Sequence, residues 1–450
     1  MRLGVVSLGC DKATVDSERL VGELVGHGAV VTPELPRADV ILVNTCGFID
    51  AAKQESIDAM LAAAALKRTG DVKAVVAVGC LVQRYQRELR EQIPEVDLFL
   101  GFSDLHRLVP ALAERGLIDD PVARHPGVRH FLGDGPHVRY LKISEGCDHT
   151  CAFCAIPLMR GRHRSEPIER LVREAQALEA QGAQEINLVA QDLGHYGRDL
   201  GPRGPKLPEL LEALLAATTV PWYRLLYVYS AGLTDRLVHL VAREPRIVPY
   251  LDMPIQHASD RMLERMRRPE RRSTLTDKLA WLRQTIPDLA LRTTCLVGFP
   301  GETDRDFREL LDFLEEARFD RLGAFAYSPQ EGTRAAQYPD DVPDDLKRDR
   351  LEELLEVQRG ISAERLERFV GREVAVLVDR VADRDDPTGE DPAAGAMGTT
   401  ATHVGRAPWQ ADDVDGVTYL HAGGWACPGT FVRARLVASE DYDYRALALA

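Results

Sequence analysis

Hydrophobic and polar residues alternate in blocks through the first 115 residues of the chain. Short β-branched runs predict strands at 3–8, 40–44 and 73–78. Apolar residues at helical spacing predict helices at 14–26, 51–67 and 81–92. Continuous apolar strands that alternate with helices are typical of a parallel sheet covered on both faces. The N-terminal part is therefore predicted to be an α/β domain with a doubly wound parallel sheet.

The same strand-then-helix order continues through the middle of the chain. Six strands are predicted, at 138–144, 185–190, 223–228, 247–251, 291–297 and 321–326. Helical patterns such as 166–181 and 303–317 lie between them. Six units are fewer than the eight of a closed α/β barrel, so the pattern predicts a partial (β/α)6 barrel.

The end of the chain changes character after a charged helix predicted at 344–369. Strand-like runs at 373–381, 416–420 and 431–437 are separated by loops rich in Asp, Pro and Gly, which predicts a small β-barrel. The expected domains are thus 1–118, a linker at 119–136, 137–369 and 370–450.

Composition narrows the class of protein. The chain has 450 residues and a net charge of −14. It has no signal-peptide pattern and no apolar run of about 18 residues, so we expect a cytoplasmic protein that does not enter a membrane. Proteins that bind nucleic acid phosphates usually carry a basic excess. The acidic balance therefore favours a small-molecule or basic-protein partner.

Three cysteines form a C-x3-C-x2-C run at Cys147, Cys151 and Cys154. Thiolates are the ligands of iron–sulfur clusters, and three of them leave one iron of a [4Fe–4S] cube open for chemistry. A structural zinc site would need a fourth ligand, for which His149 inside the run is the nearest candidate. A disulfide framework fits poorly with a long chain that lacks secretory features.

Three more cysteines each follow a predicted strand: Cys10, Cys46 and Cys80. Because the carboxyl ends of parallel strands meet at one edge of the sheet, the fold should bring these thiols together, beside helix N-termini that suit an anionic cluster. We therefore predict a second three-cysteine metal site. The alternative is that they are small buried residues at crowded turns.

Polar or glycine-containing turns follow several barrel strands, at the face where such barrels place active sites. The candidate cofactor-binding residues are Gln191, Asp192, Gln256, His257, Gly298, Gly301 and Glu302. Tight turns need Gly and Pro in any case. The basic run 160–164 is interpreted either as a carboxylate clamp or as a solvated loop. Cys295 and Cys427 are interpreted as packing residues.

Together these motifs resemble the radical S-adenosylmethionine enzymes, and more narrowly the methylthiotransferases. The resemblance rests on Leu8-Gly9-Cys10, Asn44-Thr45-Cys46-Gly47-Phe48, Gly79-Cys80, the cluster run and Gly298-Phe299-Pro300-Gly301-Glu302-Thr303. It implies two [4Fe–4S] clusters. The cluster on Cys147, Cys151 and Cys154 would bind S-adenosylmethionine and yield a 5′-deoxyadenosyl radical, and the cluster on Cys10, Cys46 and Cys80 would carry the sulfur. A separate electron donor is also implied.

Two branches of this family differ in substrate. One, the MiaB type, modifies an adenosine in tRNA; the other, the RimO type, modifies the β-carbon of an aspartate on the twelfth small-subunit ribosomal protein. The tail resembles the small β-barrel called TRAM. Residues 370–450 carry seven Arg and no Lys against thirteen Asp and Glu, a net charge of −6. Such a barrel would repel tRNA and attract a basic protein, with Glu390-Asp391 and the patch Asp412-Asp413-x-Asp415 as candidate contacts. The RimO type is therefore favoured. The alternatives are the tRNA enzyme and a non-catalytic iron–sulfur or zinc module.

Overall fold

A computed structural model describes residues 1–118, 129–133, 135–383, 386 and 401–449. Most of the predicted linker at 119–136 and the acidic pair Glu390-Asp391 lie outside the described residues.

The N-terminal part is a parallel sheet of five strands in the order β2-β1-β3-β4-β5. The strands are β1 (Arg2–Ser7), β2 (Val30–Val31), β3 (Val40–Thr45), β4 (Ala74–Gly79) and β5 (Leu98–Leu100). The helices are α1 (Asp11–Gly26), α2 (Asp50–Thr69), α3 (Cys80–Gln92) and α4 (Leu108–Glu114). Strands β3 and β4 are buried along their whole length, because each face of the sheet packs into its own hydrophobic core. This confirms the predicted doubly wound sheet.

The middle part is a six-stranded parallel sheet in the order β13-β12-β11-β10-β9-β6, which confirms the partial barrel. Its strands are β6 (Val138–Lys142), β9 (Glu185–Val189), β10 (Trp222–Leu225), β11 (Ile247–Asp252), β12 (Ala290–Val297) and β13 (Arg321–Ala326). A short hairpin of β7 (Ser144–Glu145) and β8 (Arg164–Ser165) follows β6. The helices are α5 (Ile156–Arg160), α6 (Ile168–Ala180), α7 (Leu207–Ala217), α8 (Asp235–Arg243), α9 (Asp260–Arg265), α10 (Arg272–Thr285), α11 (Asp304–Ala317) and α12 (Asp344–Glu367).

The C-terminal part is a closed five-stranded barrel in the order β14-β15-β16-β18-β17, which confirms the predicted small β-barrel. Its strands are β14 (Glu373–Val381), β15 (His403–Arg406), β16 (Thr418–His421), β17 (Phe431–Ser439) and β18 (Tyr444–Ala448). Strands β15 and β18 were not predicted from the sequence.

Buried ion pairs join the C-terminal barrel to the middle sheet. Glu185 accepts hydrogen bonds from Arg224 at 2.7 Å and from Arg406 of the C-terminal barrel at 2.7 Å. The Tyr250 hydroxyl donates to Asp415 at 2.7 Å. Asp415 is thus sealed in an interface, which corrects the expectation that this carboxylate belongs to an exposed acidic patch. Cys427 is exposed, so its interpretation as a packing residue is wrong, whereas Cys295 is buried as predicted.

Candidate active site between two cysteine trios

The first cysteine trio lies on one short loop between β7 and α5. Gly146 precedes Cys147 with φ +76°, and a Cβ at Gly146 would stand 2.2 Å from the carbonyl oxygen of Arg162. Only glycine fits there, because the chain returns so closely on itself. The Cys147 amide closes this turn by donating to Gly161 at 3.1 Å. Backbone geometry therefore closes the start of the cluster loop.

A buried and a half-buried side chain from two other loops reach Cys151. The Arg268 guanidinium donates to the Cys151 sulfur at 3.9 Å, and the Tyr229 hydroxyl lies 3.6 Å from the same atom. Arg268 is in turn fixed by hydrogen bonds to the Pro254 carbonyl at 2.7 Å and to Glu270 at 3.3 Å. A cation at this distance stabilises negative charge on the sulfur. Sequence analysis did not identify Tyr229 or Arg268.

The second trio is assembled by the N-terminal sheet. Cys10 caps α1, Cys46 follows β3 and Cys80 begins α3, as predicted. A Cβ at Gly9 would stand 3.5 Å from the Cys46 sulfur, so the turns after β1 and β3 meet closely. The thiol of Cys80 interacts electrostatically with both Cys10 and Cys46. The three strand ends therefore form one group of thiols.

Burial makes these thiols costly to ionise without a cation. It raises the pKa of Cys80 and of Cys147 to about 11 each, and that of Cys154 to about 12. Bound metal removes this cost because it binds the thiolate. Within the described part of the chain, neither trio holds its three sulfur atoms all within 4.8 Å of one another. Tetrahedral zinc at about 2.3 Å from each sulfur would need about 3.8 Å between them. The donor type and spread fit an iron–sulfur cube better than a single zinc ion.

Arg160 connects the two trios. Its buried guanidinium donates to Asp16 at 2.7 Å and to Glu145 at 3.1 Å, and its positive charge acts on the thiol of Cys80. Asp16 and Glu145 also bind the ammonium of Lys142. Arg160 therefore binds carboxylates, as one interpretation of the basic run predicted, but these are Asp16 and Glu145 of this chain and not a ligand. Arg162, by contrast, is exposed, so the basic run divides into a structural and a solvated part.

The candidate residues after β9 lie beside the cluster loop. Asp192 accepts a hydrogen bond from His149 at 2.8 Å, and its other oxygen binds the amide of Tyr229 at 3.2 Å. The His149 ring stacks on Tyr229 at 4.0 Å and on His195 at 4.2 Å. Gln191 donates to Glu145 at 3.4 Å. Asp192 thus orients the loop that carries the first trio. Burial alone would raise the pKa of Asp192, but these hydrogen bonds lower it.

The candidates after β11 and β12 form a buried support. Nδ1 of His257 accepts hydrogen bonds from the amides of Ala258 and Ser259 at 2.9 Å each. Glu302 accepts from the amide of Gly298 at 2.9 Å and from Arg350 at 2.9 Å. Both side chains are fully buried, so the structure does not bring them to an open surface.

Two backbone positions in this support have positive φ. Gln256, with φ +70°, pairs with Cys295, and Gly301, with φ +82°, donates to Asp341 at 2.6 Å. In these turns the backbone, rather than the buried side chains of His257 and Glu302, is therefore available to contact a ligand.

A crevice of about 560 Å³ opens where all three parts of the molecule meet. Cys10 and Asp11 line it from the N-terminal sheet, Tyr140 and Tyr227 from the middle sheet, and Asp412 and Asp413 from the C-terminal barrel. The Tyr140 hydroxyl is buried and has no hydrogen-bond partner among the described residues, and burial together with Asp11, Asp412 and Asp413 raises its pKa. The second trio is therefore reached along an acidic crevice.

Two family models match the chain. Residues 2–101 match "Uncharacterized protein family UPF0004", and residues 141–314 match "Radical SAM superfamily". Each match contains one cysteine trio. Among the described residues, no helix is long and apolar enough to cross a membrane.

Curated relatives match nearly the whole chain. The ribosomal protein uS12 methylthiotransferase RimO of Geobacter sulfurreducens is 43% identical, with 98% of this chain and 97% of that protein aligned. The protein of the same name from Desulforudis audaxviator is 46% identical, with 100% and 97% aligned.

Solved structures support the fold. The radical S-adenosylmethionine methyltransferase TsrM of Kitasatospora setae, with tryptophan substrate and aza-SAM bound, superposes with a TM-score of 0.54 at 13% identity, covering 80% of this chain and 89% of that one. Cluster spacing, sheet topology and near-full-length identity agree, and the chain belongs to the RimO family of radical S-adenosylmethionine methylthiotransferases, which use S-adenosylmethionine and [4Fe–4S] clusters.

Proposed function

We propose that this enzyme transfers a methylthio group to the β-carbon of an aspartate on ribosomal protein uS12. The observation that carries the proposal is the position of Arg160, which binds Glu145 two residues before Cys147 and whose charge acts on Cys80, because it supports a cluster on each trio at one interface. The relatives at 43% and 46% identity are named for action on uS12.

Each trio has a separate role in this proposal. Cys147, Cys151 and Cys154 would hold a [4Fe–4S] cluster that cleaves S-adenosylmethionine, and Cys10, Cys46 and Cys80 would hold the cluster that supplies the methylthio group. Arg268 and Tyr229 contact the Cys151 sulfur and hold it in position as a ligand. Arg160, fixed by Asp16 and Glu145, stabilises the thiolate of Cys80.

The methionyl and adenosyl parts of S-adenosylmethionine need polar contacts along the carboxyl ends of the barrel strands. Gln191 and Asp192 supply side chains there, and Asp192 also fixes the cluster loop through His149. Gln256, Gly298 and Gly301 supply backbone groups. His257 and Glu302 hold these turns in shape from behind.

The crevice suits a basic protein substrate better than a polynucleotide. Asp412 and Asp413 project from the C-terminal barrel to the same crevice as Cys10, and the barrel sequence carries a net charge of −6. Carboxylates attract Lys- and Arg-rich chains and repel phosphates. We infer that the target is a ribosomal protein in the cytoplasm, that nucleic acid is not the substrate and that a separate electron donor reduces the clusters.

A product assay tests the proposal. The enzyme with both clusters loaded is given S-adenosylmethionine, reductant and sulfide, with either purified uS12 or tRNA, and each product is measured by mass spectrometry. The expected result is a methylthio mass gain on one aspartate of uS12 alone. Modified tRNA with unmodified uS12 would overturn the proposal in favour of the tRNA enzyme. Absence of 5′-deoxyadenosine would exclude the radical reaction itself.

A further inference from the structure

Lys12 is a buried cation beside the second trio. It lies two residues after Cys10 on α1 and is only 9% exposed. Its ammonium sits 3.5 Å from the centre of the Tyr227 ring. The charged groups that face it are Cys10, Asp11 and Arg160. Yet no described carboxylate lies within 4.0 Å of this ammonium, and within the described chain it makes no hydrogen bond.

Four other buried or half-buried cations in this region have carboxylate partners. Arg160 and Lys142 share Asp16 and Glu145. Arg268 pairs with Glu270 at 3.2 Å, and Arg292 pairs with Asp252 at 3.1 Å. A buried charge is costly unless it is paired, and a contact with an aromatic face recovers only part of that cost. Lys12 differs from these four cations, because no described carboxylate pairs with its ammonium. The ammonium can therefore still bind a carboxylate.

Tyr227, whose ring contacts the Lys12 ammonium, has an unusual backbone conformation. Its φ is +65°, in the left-handed region that a tyrosine rarely adopts. Its hydroxyl donates to Asp11 at 3.4 Å, which fixes the ring on which the ammonium rests. Residues kept in such conformations cluster at functional sites. Tyr227 and Cys10 both line the crevice, so Lys12 stands beside the path of an incoming chain.

We propose that Lys12 binds the side-chain carboxylate of the target aspartate. This inference rests on the proposed function. The β-carbon that receives sulfur is bonded directly to the carboxylate carbon, so a carboxylate held at Lys12 brings the reacting carbon next to the second trio. An ammonium distinguishes aspartate from asparagine because the amide carries no charge. Lys12 thus sets the residue type that the enzyme modifies.

Paired binding measurements test this role. The dissociation constant of the loaded enzyme is measured for uS12 with the target aspartate and for uS12 in which it is asparagine. The unaltered enzyme should prefer the aspartate protein by roughly 10- to 100-fold, the range expected for a charged hydrogen bond. Lys12→Met should bring this ratio close to one, while the iron content stays unchanged. Lys12→Arg, which keeps the charge, should restore part of the preference.

Lys73→Met is the matched control, because Lys73 is exposed in the same domain and pairs with Asp39. It should leave the preference intact. An undiminished preference in Lys12→Met would overturn the assignment, as would an equal loss of affinity for both proteins. Failure of the unaltered enzyme to modify uS12 would instead refute the proposed function, so the two failures are distinguishable.

Discussion

The two cysteine trios reach similar surroundings by different routes. Cys147, Cys151 and Cys154 lie within eight residues, and a glycine turn closed by backbone contacts holds them. Cys10, Cys46 and Cys80 come from three strand ends and meet only when the N-terminal sheet is folded. The first trio therefore depends on local geometry, and the second depends on the stability of a whole domain.

The largest expected effect follows from removing a ligand of the local trio. Cys151→Ala should abolish cleavage of S-adenosylmethionine, because its thiolate is a proposed cluster ligand and is the one that Arg268 and Tyr229 contact. The readout is 5′-deoxyadenosine formed under reduction. Cys427→Ala, at an exposed cysteine in the C-terminal barrel, should cleave normally. Equal radical yield from Cys151→Ala and the unaltered enzyme would contradict the assignment.

Removing a ligand of the second trio should separate the two half-reactions. Cys46→Ala is expected to retain 5′-deoxyadenosine formation and to lose the methylthio product, since its thiol belongs only to the fold-assembled group. Both products are measured in the same reaction. Loss of both activities with both clusters otherwise intact would show that the trios do not act independently.

A core substitution should affect the second trio selectively. Leu42 is fully buried in β3, the strand that Cys46 follows. Leu42→Ala should destabilise the N-terminal domain by about 2–5 kcal/mol and lower its cluster content, while the local trio keeps its iron. Iron analysis during thermal unfolding checks this. Leu355→Ala, on an exposed helix face, is the matched control and should have little effect.

The smallest expected effect is on the acid stability of the N-terminal sheet. Hydrogen bonds from Arg2 and Lys73 lower the pKa of Asp39 to about 2 against the opposing effect of burial. Because this pKa is depressed, its contribution is present above pH 4 and is lost as the pH falls towards 2. Asp39→Asn should therefore lower the melting temperature at pH 7 and not at pH 2. A difference that persists unchanged at pH 2 would contradict this account.

The sequence was sufficient for the features that depend on local pattern. Strand periodicity predicted β1, β3 and β4 of the N-terminal sheet and the six barrel strands, and cysteine spacing predicted the cluster loop. The short strands β2 and β5 were not predicted. Strands β15 and β18 have four and five residues, of which only Val404 is β-branched, so the sequence offered no clear strand signal. Tyr229 and Arg268 lie 78 and 117 residues from Cys151, so only the fold reveals their contact. Likewise, the sequence indicated an exposed carboxylate at Asp415, whereas in the fold this carboxylate packs against Tyr250 and accepts a hydrogen bond from its hydroxyl.

The shared use of Glu185 by Arg224 and Arg406 has a consequence for protein engineering. A tail without Arg406 would leave one oxygen of this buried carboxylate without its charged hydrogen bond, which costs stability. The C-terminal barrel is thus no detachable module. A chimaera that grafts the tail of a tRNA-modifying relative onto this scaffold would have to import the matching anion or cation on the scaffold side as well.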